Sequence, residues 1–91
     1  MREVSIQDYI GFEKPLTAEE VRQLPVGSTV KKHTFDRRGT HQWRNMKVVQ
    51  SGKRKMLKYY VGPFEHMEME PIRATSDRMC YTISDDDLPF C

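Results

Sequence analysis

Between residues 31 and 58 the chain carries ten lysines and arginines against Asp36 alone. Phe35, Trp43, Tyr59 and Tyr60 are interleaved with them. Single-stranded nucleic acid is bound by this combination, because cations follow the phosphates while aromatic faces stack on bases, each stack being worth ~1–3 kcal/mol. Counterion release would make such binding steeply salt-dependent. The candidate contacts are Lys31, Arg37, Arg38, Trp43, Arg44, Lys53, Arg54 and Lys55. The same residues have plainer uses. Trp43 is the sole tryptophan and could anchor a small core, and lysines commonly solvate a face. Of Tyr59 and Tyr60 one must point inward, since neighbours along a strand alternate faces.

Other chemistries find less support. His33, His41 and His66 have no metal-ligand spacing with one another or with Cys80, so neither a metal nor another cofactor is expected. No Ser/His/Asp or Cys/His set can be assembled, and no glycine-rich phosphate loop is present. Cys80 lies among apolar residues, where a buried inert thiol is expected. Glu65, Glu68 and Glu70 could do acid–base work, but on a connecting loop they read as a solvated face. A non-catalytic protein is therefore expected.

Near the end of the chain, Ser84-Asp85-Asp86-Asp87-Leu88-Pro89-Phe90 runs three carboxylates into an apolar tip, with Cys91 after it. Acidic runs usually stay solvated. Phe90, however, offers surface worth burying in a partner's pocket. This segment resembles the acidic C-terminal tail of bacterial single-stranded DNA-binding proteins, which commonly ends in Asp-Asp-Asp-Ile/Leu-Pro-Phe. The resemblance implies a docking peptide for replication, repair or nuclease proteins, carried by Asp85, Asp86, Asp87, Pro89 and Phe90. It covers about a tenth of the chain, and the family's tail ends on the Phe that Cys91 here follows.

The net charge of +2 conceals strong segregation. Residues 1–30 have three basic against five acidic side chains, and residues 59–91 have two against seven. The basic block is thus flanked by acidic ones, and the tail could fold back on it as a tethered competitor of nucleic acid. Acidic surfaces also suit a different role, imitation of a nucleic-acid backbone. On that alternative the chain is a phage- or mobile-element-encoded inhibitor of a host nuclease or other defence protein. No apolar run approaches the ~20 residues that span a bilayer, and the N-terminus lacks a signal-peptide core. A cytoplasmic protein with no membrane partner and two free thiols is expected.

The elements that must position these residues are short. Residues 1–14 read as a short strand or extended arm. Thr17 and Glu20 form a capping box, with Leu16 and Val21 as its hydrophobic staple, so a helix is predicted over 18–24 and ended by Pro25. Strands are predicted over 28–36, 41–50, 53–61, 69–74 and 79–84. In the first, Val30 and Phe35 have opposite parity, which suggests a bulge. Ser51-Gly52-Lys53 is a hairpin turn. At 91 residues, one domain over 1–83 with an acidic flexible tail over 84–91 is expected. The predicted fold is mainly β with one short helix, a small, strongly bent antiparallel barrel that is SH3-like or OB-like.

Overall fold

The computed structural model describes residues 5–62 and 66–85. Five strands, β1 (Thr29–Phe35), β2 (His41–Ser51), β3 (Arg54–Val61), β4 (His66–Pro71) and β5 (Met79–Ile83), make one antiparallel sheet in the order β4-β3-β2-β1-β5. Gly52, at φ 62°, turns the chain between β2 and β3, a conformation that a residue with a Cβ rarely adopts. The helix is α1 (Ala18–Arg22), and its capping box is made as the spacing predicts. Glu20 N–H donates to Thr17 Oγ1 and Thr17 N–H donates to Glu20 Oε1, both at 3.1 Å. Three described elements depart from expectation. The arm holds a 3₁₀ turn over Ile6–Tyr9 rather than a strand. The fourth strand begins earlier, so Glu68 and Glu70 lie on β4 and not on a loop. Ser84 is buried, with its N–H donating to Thr29 O at 3.0 Å, so the sheet's contacts extend into the expected tail.

Apolar clusters lie against both faces of β1, which removes the need for a bulge there. Val30, Met46, Val48, Leu57 and Tyr81 project from one face and form the main core with Leu16, Ala18, Val21 and Ile72. Burying each aliphatic side chain there contributes about 1.5–3 kcal/mol. His33, Phe35, Cys80 and Thr82 project from the other face, where Ile6 and Ile10 of the arm pack on Phe35 and Cys80. Val30 and Phe35 therefore face different clusters from a strand whose ladder to β2 is unbroken from Thr29 to Phe35.

The sheet bends strongly toward its main core. Lys32 on β1 pairs with Glu70 on β4 at 2.8 Å, although strands three places apart in a flat sheet would lie about 14 Å apart. On the same face the Tyr81 hydroxyl of β5 accepts from Arg73 N–H, just beyond β4, at 3.1 Å. The edge strands thus approach each other, but no ladder joins them among the described residues.

Candidate nucleic-acid interface

Alternation along β2 puts Met46 and Val48 into the core and turns Trp43 to the outer face, where 56% of its surface stays exposed. Trp43 stands opposite His33 on β1, and the Lys31 ammonium lies 5.1 Å from its ring centroid. Such a cation–π contact orients the lysine stem while leaving ring surface open. Glu13 of the arm reaches Lys31 at 3.5 Å, so a carboxylate already occupies part of the field that a phosphate would use. Further along the outer face Lys47 stands opposite Lys58, and Lys58 opposite Met69. Tyr60 is the outward member of the tyrosine pair and stands opposite Met67, whereas Tyr59 packs against the core.

The remaining candidates are spread along the sheet. Arg37 and Arg38 sit in the exposed β1–β2 turn, which Asp36 shapes by accepting from the N–H groups of Arg38 and Thr40, each at 2.8 Å. Lys53 and Arg54 are exposed at the β2–β3 turn, at the opposite end of an eleven-residue strand and so roughly 30 Å away. Lys31 and Trp43 lie between these two basic ends. Arg44 and Lys55 point to the other face. Arg44 lies 4.7 Å from the Tyr59 ring centroid, and Lys55 Nζ donates to the carbonyls of Arg22 and Leu24 at 2.8 and 2.5 Å. A cation is well placed at that helix C-terminus, where carbonyls lack intrahelical partners. Of the tail residues, Asp85 is exposed, while Asp86, Asp87, Pro89 and Phe90 lie outside the described residues.

Two features escaped the sequence reading. The first is a stacked histidine pair beneath the arm, His33 with His41, of which His33 is buried. His33 is 2% exposed, with Nδ1 2.9 Å from His41 Nε2 and Nε2 2.9 Å from Thr82 Oγ1. Burial, followed by the nearby His41, holds the His33 pKa below its ordinary value against the opposing pull of Glu13. Burial likewise pushes the free Cys80 thiol upward, which keeps it protonated and unreactive. The second is a cleft of about 280 Å³ on the concave face, lined by Lys32, Thr34, Gln42, Trp43, Arg44, Met46 and Glu70. The register of the first hairpin could have placed Lys32 beside Arg44, but nothing local in the sequence brings Glu70 to them. Among the described residues no three His, Cys, Asp or Glu side chains converge as a metal site.

No protein-family model matches this chain, and no curated protein or solved structure matches it either.

Proposed function

We propose that this is a small non-catalytic protein of DNA metabolism that binds single-stranded nucleic acid along the outer face of its sheet. The observation that carries the reading is Trp43, a large aromatic left more than half exposed beside a lysine ammonium and between two basic turns. A core anchor would be buried. An exposed ring flanked by cations has the composition of a stacking platform in an electrostatic track. Lys31, Arg37, Arg38, Lys53 and Arg54 supply that track, while Trp43 and Tyr60 supply ring faces. Arg44 and Lys55 act from the other side of the sheet, through the concave cleft and the end of α1.

The finer architecture belongs to the same proposal. The strand order is a meander whose last strand returns beside the first, which favours the SH3-like form over the Greek-key OB form. The acidic segment 85–90 serves as a docking peptide for a replication, repair or nuclease protein in the cytoplasm. It starts beside Ser84, whose hydroxyl donates to Asn45 on the outer face at 3.0 Å, so it can also compete with nucleic acid for that face.

One observation favours a second reading. β4 is an edge strand that alternates Met67 and Met69 with Glu68 and Glu70, and an edge of this kind can add a strand from a basic partner. The protein would then be a mobile-element inhibitor of a host nuclease that needs no nucleic acid. Trp43 fluorescence separates the two. Titration with unlabelled single-stranded DNA at low salt should quench its emission, because Trp43 is the sole tryptophan. Unchanged emission with no binding would overturn the proposal, and capture of a nuclease that survives Phe90→Ala would favour the second reading.

A further inference from the structure

The ladder between β2 and β3 covers only Lys47–Ser51 of β2, and β3, paired with β4 from Met56 to Val61, has no β2 partner from Tyr59 onward. The first half of β2, which carries Gln42, Trp43 and Arg44, is therefore held by β1 alone. The concave cleft lies along this first half of β2, and Trp43 contributes both to its lining and to the outer face.

The size and the lining both select an occupant. About 280 Å³ falls just below the ~300 Å³ at which drug-sized pockets begin, a size suited to a single nucleobase ring. Lys32 and Arg44 stand directly opposite each other on this face, two cations against the single carboxylate of Glu70. Glu70 Oε2 accepts from Lys32 at 2.8 Å, and its Oε1 accepts from no described residue. The Arg44 guanidinium is seated on the Tyr59 ring, and Thr34 and Gln42 add a hydroxyl and an amide. The cleft thus sets two cations around one carboxylate, with a hydroxyl and an amide that can each donate or accept.

We propose that the cleft receives one nucleobase of the bound single strand, and that Glu70 makes it prefer cytosine to thymine. The inference rests on the reading of Trp43 as part of a nucleic-acid interface. Cytosine presents an amino donor next to the ring acceptors N3 and O2, which matches a carboxylate flanked by the Lys32 ammonium and the Arg44 guanidinium. In the same pose thymine sets O4 against the carboxylate and its N3–H against the cations, so acceptor faces acceptor, donor faces donor, and the carboxylate oxygen that the base covers is left without a donor.

Competition between oligo-dC and oligo-dT of equal length, read by Trp43 quenching, tests this. The expected result is at least about fivefold tighter binding of oligo-dC, the discrimination of one good base contact. Glu70→Gln, whose amide can donate to O4, should bring the ratio close to one. Because Glu70 also holds Lys32, the ligand is varied as well. An oligonucleotide of N4,N4-dimethylcytosine, which has lost both amino donors, should bind wild-type protein no better than oligo-dT. Equal binding of oligo-dC and oligo-dT with normal quenching would overturn the cleft proposal and leave the outer-face reading standing. Absence of binding and quenching by either oligonucleotide would overturn both.

Discussion

Replacement of Trp43 by alanine should separate binding from folding. With 56% of its surface exposed and no place in either core cluster, Trp43 contributes little to stability. A surface truncation changes stability by about 0.5 kcal/mol, and loss of the Lys31 contact adds about 0.5–1 kcal/mol. The expected cost is thus no more than about 1.5 kcal/mol, whereas a buried tryptophan would cost about 3–5 kcal/mol. Binding should suffer more. Removal of one stacked base costs about 1–3 kcal/mol, or roughly 5- to 150-fold in affinity. Thermal melting gives the first quantity, and titration with end-labelled single-stranded DNA at fixed salt gives the second. A stability loss above about 3 kcal/mol would make Trp43 a structural residue. Unchanged affinity with intact folding would remove it from the interface.

Three other perturbations follow from the same geometry. Glu13→Gln removes the carboxylate 3.5 Å from Lys31 and should raise affinity for single-stranded DNA at low salt by up to about fivefold, the upper range for an exposed ion pair. An unaltered or weaker affinity would show that Glu13 does not compete for Lys31. Because the folded-state pKa of His33 lies below the ordinary 6.5, the unfolded chain takes up the proton first as pH falls. The stability contributed by neutral His33 is present above pH 6.5 and is lost as pH falls toward the folded pKa. Urea midpoints should therefore fall from pH 7.5 to 5.5, and His33→Gln should flatten that dependence. Thr17→Ala removes the Oγ1 that accepts from Glu20 N–H, while the backbone N–H of residue 17 can still donate to Glu20, and should cost about 1 kcal/mol, or about 4–8 °C in melting temperature for a domain of this size. No shift in the melt would show that the core, and not the cap, holds α1 in place.

Local signals were readable where one residue decides the structure. Thr17 with Glu20 marks the helix start, and Gly52 marks the β2–β3 turn. The alternation Trp43, Met46, Val48 sorts β2 into an outer and an inner face. Phe35 misled because parity was weighed against one core, whereas the arm supplies a second core on the opposite face. β4 was obscured because Glu68 and Glu70 made it look like a loop, although Met67 and Met69 keep the period of two. The cleft could not be read from local pattern at all. Lys32 and Glu70 are thirty-eight residues apart, and only the bend of the whole sheet makes them partners. The same limit applies to the basic residues, which form one charge block in the sequence but divide between two faces and two ends of the sheet.

The most direct test of the central claim is the salt dependence of single-stranded DNA binding by the intact chain. If Lys31, Arg37, Arg38, Lys53 and Arg54 track phosphates, about three to five contacts should give a slope of log affinity against log salt of about −2 to −3.5. Charge reversal of Arg37 and Lys53 together should flatten it. A measurable affinity with a flat slope, or no binding at low salt, would contradict the account.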